Sequence, residues 1–84
     1  MTQDREVDLT AGMCVDDVAS LGRLVRQVRN RQGMTQADIL GLASTGNRFI
    51  VELENGKPTV RLDKVLAVLD VLGLELQVRK KGRR

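Results

Sequence analysis

Histidine, tryptophan and tyrosine are missing from this sequence, and its 84 residues include a single phenylalanine, a single proline and a single cysteine. Without histidine, a Ser/His/Asp or Cys/His nucleophile cannot be assembled, and the commonest metal ligand is absent. One cysteine, Cys14, can form neither an internal disulfide nor a cysteine-rich zinc site. We therefore expect a protein that is not an enzyme and that carries no metal or cofactor.

Membrane-spanning and secretory signals are missing as well. No apolar run approaches the ~20 residues that cross a bilayer, and the N-terminus has no basic region followed by an apolar stretch. The composition, 42% apolar and 30% charged, is typical of a folded domain. We expect one small domain in the reducing environment of the cytoplasm.

The net charge of +3 hides an uneven distribution. Residues 1–17 hold one basic and five acidic side chains, whereas residues 18–84 hold thirteen basic and six acidic ones. Five basic side chains lie in the last six residues, and a second cluster comprises Arg23, Arg26, Arg29 and Arg31. A basic body favours a polyanionic partner such as nucleic acid, although for the terminal run alone a solvated tail is the simpler interpretation.

Apolar residues recur at helical spacing in four segments of residues 17–73, after an N-terminal arm, residues 1–16, that we expect to be flexible. The first helix begins at Val18, with Asp16 or Asp17 as its N-cap, and Gly33 ends it.

The second helix spans 36–43, and Thr35 and Asp38 form a capping box at its start. A three-residue turn, Ser44-Thr45-Gly46, separates it from a third helix over 47–54. Two short helices joined in this way are typical of helix-turn-helix DNA readers. Turn residues at 55–58 lead to a fourth helix over 61–72.

The fourth helix is apolar around more than half of its circumference, which predicts a second packing partner. Beyond Gly73, apolar and polar residues alternate, which predicts a single strand over 74–79 before a basic tail over 80–84. A lone strand must pair with another, so both features predict a homodimer. The expected dimer contacts are Val68, Val71, Leu72, Leu74, Leu76 and Val78.

Two stretches, Thr35-Gln36-Ala37-Asp38-Ile39 and Gly46 to Pro58 with its Leu53-Glu54-Asn55-Gly56-Lys57 close, resemble the Xre/Cro family of helix-turn-helix proteins. The resemblance covers about residues 18–72. It implies a mainly α fold of four helices like that of the lambda repressor, to which we add the C-terminal strand paired across the homodimer. With that strand, the sequence is most similar to HipB-type antitoxins. Leu40, Ser44 and Thr45 depart from the family's usual Ala, Gly and Val.

The resemblance also implies which residues bind DNA: Gln36, Asn47, Arg48, Glu52, Asn55, Lys57 and Arg61. Asn47 and Arg48 open the recognition helix, where asparagine can bind adenine and arginine can bind guanine through two hydrogen bonds each. Gln36 resembles the family's glutamine that contacts a phosphate or a base edge. Glu52 accepts from cytosine or, more simply, orients Arg48 one turn away.

The remaining positions have simpler implied roles. Asn55 and Lys57 match the family's loop that binds phosphate, and Arg61 matches a position that can enter the minor groove. Arg29 and Glu54 match residues that form an interhelical ion pair, so we interpret both as structural. Phe49 we place in the core.

The sequence therefore predicts a sequence-specific DNA-binding repressor that binds a palindromic operator as a homodimer. The resemblance to HipB-type proteins implies an antitoxin that also binds a HipA-type Ser/Thr kinase toxin and represses its own operon. Two alternatives stay open: an interaction module that mainly sequesters the kinase, and a stand-alone Xre-type regulator. A membrane-surface role for the basic tail is a third, minor interpretation.

Overall fold

The computed structural model describes residues 9–82, except for the side chain of Asn47. Within that range the chain forms four α-helices: α1 (Val18–Arg31), α2 (Gln36–Ala43), α3 (Asn47–Glu54) and α4 (Leu62–Val71). The four predicted helices are confirmed, with the fourth one residue shorter at each end. Much of the predicted arm, residues 1–8, and the last two residues of the tail lie outside the described residues.

Local capping explains where the first two helices begin. Asp17 caps α1, because its Oδ1 accepts from the backbone N–H of Ser20 at 2.8 Å. These hydrogen bonds to Ser20 hold the pKa of Asp17 below its usual value. Thr35 caps α2 in the predicted box: its Oγ1 accepts from Asp38 N–H at 3.0 Å, and Asp38 Oδ2 accepts from Thr35 N–H at 2.8 Å. Each box satisfies backbone donors that the helix itself leaves unpaired.

The turn between α2 and α3 places a serine in an unfavourable backbone conformation. Ser44 has φ +55°, and among the described residues it is the one non-glycine residue with positive φ. It ends α2 in the left-handed conformation that glycine adopts at such positions without a Cβ penalty. Thr45, next in the turn, is buried, and its hydroxyl has no hydrogen-bond partner in the described part of the chain.

Replacing Ser44 by glycine should therefore raise the free energy of unfolding by about 0.5–1 kcal/mol, as relief of the left-handed strain outweighs the extra entropy of glycine in the unfolded chain. Thermal denaturation of purified S44G measures the effect. Ser44→Ala is the matched control, since alanine keeps the Cβ and should bring no gain. An equal gain in both variants would show that the backbone conformation is not the cause.

The core lies between all four helices. Its most deeply buried side chains are Val25, Ile39, Ile50, Leu53 and Val68. Phe49 is also buried, as predicted. At the C-terminal end of α4, the carbonyl oxygen of Leu72 accepts from Gln32 Nε2 at 2.8 Å, which ties this end of α4 to the end of α1.

The predicted C-terminal strand is wrong. The described residues 9–82 contain no strand, and residues 74–80 leave α4 without regular secondary structure. Gly73 has φ +75°, and Leu74 N–H donates to Leu69 O at 2.8 Å, so the chain turns at once against the end of α4. Alternating apolar residues define a strand only when a second backbone pairs with them, and the described chain offers none.

The residues predicted to form the dimer contact differ in how deeply the structure buries them. Val68 and Leu72 fill the core of the single chain, which leaves little of either side chain exposed for a partner. Val71 and Leu74 are half-buried against that core, whereas the exposed fractions of Leu76 and Val78 are 50% and 94%. The surplus apolar surface of α4 lies elsewhere, at Leu62 and Leu66, which are 60% and 43% exposed and one helical turn apart.

Candidate nucleic-acid interface

Helix α3 has one buried face and one open face. Phe49, Ile50 and Leu53 point into the core, which leaves Arg48, Val51 and Asn55 exposed on the opposite face. These three residues recur at three- and four-residue steps, so they form one stripe along the helix. Asn47 begins the helix, but its side chain lies outside the described residues.

The open face of α3 combines a free cation with an apolar side chain. Arg48 makes no hydrogen bond or ion pair with any other described residue. Val51, which is not among the predicted DNA-binding residues, is 40% exposed one helical turn away. Its position one helical turn after Arg48 could have indicated that Val51 shares the open face. An apolar residue between Ile50 and Leu53 is, however, most simply interpreted from the sequence as part of the core. The face offers both hydrogen-bond donors and an apolar contact.

Glu52 has a different partner from the one we expected. Its carboxylate pairs with Lys57 Nζ at 3.3 Å, across the turn that follows α3, and not with Arg48. The two side chains are partly exposed, so the pair stabilises the fold only weakly. Arg48 therefore stays unneutralised by Glu52.

Arg61 is also engaged within the chain. It precedes α4, and its guanidinium donates from Nε and Nη2 to the carboxylate of Asp63 at 3.0 and 2.7 Å. The hydrogen bonds from Arg61 hold the pKa of Asp63 below its usual value. Both side chains are exposed, so solvent competes with this pair.

Arg29 and Glu54 form a buried ion pair between α1 and α3. Arg29 donates from Nε to Glu54 Oε2 at 2.6 Å and from Nη2 to Oε1 at 2.9 Å, and its Nη1 reaches Met34 O at 2.8 Å. The side chains are 10% and 3% exposed. The hydrogen bonds from Arg29 to Glu54 raise the pKa of the guanidinium. This two-pronged geometry is the strong form of a charged hydrogen bond.

Gln36 belongs to the same cluster. It is the first residue of α2, and its Nε2 donates to Glu54 Oε1 at 3.0 Å. The carboxylate of Glu54, at the end of α3, thus accepts hydrogen bonds from Arg29 of α1 and from Gln36 of α2. The sequence predicted a DNA contact for Gln36 and a structural ion pair with Arg29 for Glu54, but not the hydrogen bond between Gln36 and Glu54.

An open groove borders this cluster. Among its lining residues are Arg26, Asn30, Thr35, Gln36 and Asn55, contributed by α1, the start of α2 and the end of α3. The basic cluster predicted on α1 does not form one exposed patch. Arg29 is buried in the ion pair, whereas Arg23 and Arg26 are exposed. The groove is therefore polar, and the exposed cation Arg26 and the amide of Gln36 both line it.

The basic tail is exposed where the structure describes it. Lys80 and Lys81 of the tail, and Arg79 just before it, make no ion pair with other described residues. Within residues 9–82, no group of three or more His, Cys, Asp or Glu side chains is placed to hold a metal ion. No helix in that part of the chain is long and apolar enough to span a membrane.

Comparisons with known proteins show a helix-turn-helix domain in this chain. A family model described as a helix-turn-helix domain matches residues 20–81. An uncharacterized HTH-type transcriptional regulator, y4mF, of Sinorhizobium fredii (strain NBRC 101917 / NGR234) is 47% identical over 66 residues. That alignment covers 79% of this chain and 87% of the relative. The matched residues contain all four helices except the first two residues of α1.

Proposed function

The chain belongs to the helix-turn-helix domain family, and from this premise we propose that it is a DNA-binding transcriptional repressor whose α3 lies in the major groove of its operator. The observation that carries this proposal is the open face of α3, where Arg48 lies free beside Val51. The name of the similar Sinorhizobium protein, a transcriptional regulator, supports the same function. Repression would be steric, since an occupied operator excludes polymerase.

The chemistry of this face fits the major groove. The guanidinium of Arg48 can donate two hydrogen bonds to O6 and N7 of guanine, and the methyl groups of Val51 can contact the methyl group of thymine. Asn55 and Arg26 line the open groove of the protein, between α1, the start of α2 and the end of α3, and can bind phosphate oxygens. The exposed Arg79, Lys80 and Lys81 add charge that makes affinity fall as salt rises.

Replacing Arg48 by alanine should weaken specific binding about 5- to 150-fold, which corresponds to ~1–3 kcal/mol for one two-bond contact to a base. Duplexes selected by the unmodified chain from a random-sequence pool serve as the specific probe, and titrations at one fixed salt concentration measure the change. Binding to unselected duplexes should fall much less, because Arg48 contributes there only as one charge.

Arg23→Ala is the matched control for this prediction. It removes the same charge from an exposed position on α1, outside the open face of α3. We expect only a small loss that is equal for selected and unselected duplexes. If R48A and R23A reduce specific binding equally, α3 does not read bases through Arg48. If the unmodified chain selects no sequence at all, the proposed function itself fails.

We further propose that the repressor is a homodimer, so that two copies of α3 reach successive major grooves about 34 Å apart on a palindrome. The support is the surplus apolar surface of α4 at Leu62 and Leu66. Sedimentation at increasing concentration tests it: the unmodified chain should dimerise, and Leu66→Glu should remain monomeric with unchanged helix content. A monomer at all concentrations would contradict the dimer without affecting the assignment of α3.

A second candidate function is that of an antitoxin that holds a HipA-type kinase inactive and represses its own operon, or that mainly sequesters the kinase. The observation in its favour is the exposed apolar segment with Leu76 and Val78, which a protein partner could cover. Purification from native cells, followed by identification of the bound protein and DNA, separates these roles. A kinase in the complex supports the antitoxin; DNA without any protein partner supports a stand-alone regulator.

A further inference from the structure

The carboxylate of Glu54 is a junction between three helices. It is 3% exposed and lies at the last residue of α3. Its Oε2 receives Arg29 Nε at 2.6 Å, and its Oε1 receives both Arg29 Nη2 at 2.9 Å and Gln36 Nε2 at 3.0 Å. The pair with Arg29 joins α3 to α1, and the bond from Gln36 adds the first residue of α2.

The chemistry of this junction fixes which way the amide of Gln36 faces. A guanidinium only donates hydrogen bonds, so both oxygens of Glu54 must act as acceptors, and the carboxylate has no proton to give. The group of Gln36 that meets it must therefore be the NH₂ and not the carbonyl oxygen. An amide that could otherwise be turned by 180° is held in one orientation.

The other half of the same amide is open. Oε1 of Gln36 has no partner among the described residues and is reached by solvent. The second N–H of the amide is also uncommitted. Both belong to a side chain that lines the groove with Arg26, Asn30 and Asn55. One donor and one acceptor, side by side, therefore face a groove that already carries a cation.

We propose that Glu54 is a positioning residue for DNA recognition: it holds Gln36 so that the amide presents a donor and an acceptor, in fixed order, to a base edge at the start of α2. This inference rests on the proposed DNA-binding function. The N6 amino group and N7 of adenine need one acceptor and one donor, which is the pair that Gln36 keeps free. A phosphate oxygen would use the donor alone.

Holding the amide in advance raises affinity because the side chain loses its freedom during folding and not during binding. A mobile glutamine has to be ordered at the moment of contact, and either of its two orientations can face the DNA. By holding the amide before DNA binds, Glu54 removes the entropy cost of ordering the side chain and the cost of selecting one of its two orientations. The same carboxylate stabilises the fold through Arg29, so a test must separate positioning from stability.

A double-mutant cycle on the selected duplex makes this separation. Affinities of the unmodified chain, E54Q, Q36A and the double variant are measured at one salt concentration, with corrections for the folded fraction of each. If Glu54 acts through Gln36, E54Q weakens binding about tenfold in the presence of Gln36 and has no effect once Gln36 is alanine. If E54Q weakens binding equally in both backgrounds, Glu54 acts only by placing α3, and the proposal is overturned.

E54Q lowers stability, so a second measurement uses the unmodified chain without DNA. Side-chain amide resonances report whether the NH₂ group of Gln36 is held. We expect one of its protons to exchange slowly with water and the group to be rigid, whereas Gln27, an exposed glutamine of α1, should exchange rapidly. Equal exchange at both residues would overturn the proposal.

The two measurements also distinguish this proposal from the proposed function. A held Gln36 amide in a chain that selects no DNA sequence would show that the junction exists but serves no readout, and both proposals would fail. Specific DNA binding with no coupling between Glu54 and Gln36 would leave the function intact and remove only the positioning role.

Discussion

Replacing Glu54 by glutamine should lower the free energy of unfolding by about 3–5 kcal/mol, the usual cost of removing one partner of a buried ion pair. The guanidinium of Arg29 would keep its burial but lose the charge that it faces across 2.6 Å. An amide at position 54 would also turn donors towards Arg29 or Gln36. Because a domain has only about 5–15 kcal/mol in total, the midpoint of thermal denaturation should fall by roughly 12 °C or more.

The matched control for this prediction is Asp63→Asn, which removes the carboxylate of the exposed pair with Arg61. Solvent screens that pair, so we expect little change in the melting temperature. A melting temperature of E54Q as high as that of D63N would show that the buried pair does not stabilise the fold. We also expect E54Q to affect stability more than sequence preference. Its loss in free energy of unfolding should exceed any change in the binding free-energy difference between selected and unselected duplexes.

The pH dependence of this effect follows from the raised pKa of Arg29. A base whose pKa is raised in the folded state contributes its full stabilisation below its unfolded pKa, and loses it only as pH rises through the folded value. For arginine both values lie far above neutrality. The contribution of Arg29 should therefore stay constant when E54Q and the unmodified chain are compared between weakly acidic and weakly basic pH.

Replacing Gly22 by alanine should cost about 3 kcal/mol of stability, since it places a methyl group where the backbones of α1 and α3 meet. A Cβ at Gly22 would collide with the backbone carbonyl oxygen of Leu53 and lie 3.1 Å from the Cα of Glu54. Neither is the flexible end of a side chain, so the whole of α3 would have to move. Denaturant unfolding measures the loss, and binding to the selected duplex should weaken as well.

Gly41→Ala is the control, because it makes the same change in α2, where nothing lies within 4 Å of the added Cβ. Alanine is the better helix former by about 1 kcal/mol, so G41A should be more stable than the unmodified chain. If G22A is stabilised to the same degree, then α1 and α3 do not approach each other as closely as the structure describes.

Features that depend on neighbours within a few residues could be predicted from the sequence. The caps at Asp17 and Thr35, the glycine that ends α1 and the four helical segments all follow from local hydrogen bonding and from apolar spacing. The placement of Phe49 in the core follows from the same spacing. Each of these features depends on residues that are only a few positions apart in the chain.

Features that depend on residues far apart in the chain were decided by the tertiary structure. Alternation over 74–79 indicated a strand, but a strand exists only where a second backbone lies alongside, and the described chain has none there. Apolar spacing marked Val68 and Leu62 alike as part of one broad face, and only the packing of α4 buried the first and exposed the second. The partner of Glu52 was decided by the turn after α3.

The candidate site divides in the same way. The sequence by itself determined that a short helix opening with Asn47 and Arg48 follows a three-residue turn, because turn chemistry and helix spacing are local. Only the tertiary structure decided that Val51 is exposed and that Gln36 joins Arg29, the predicted partner of Glu54, on the same carboxylate. Arg29, Gln36 and Glu54 come from three different helices. A contact between helices is set by how their faces pack rather than by any spacing along the chain.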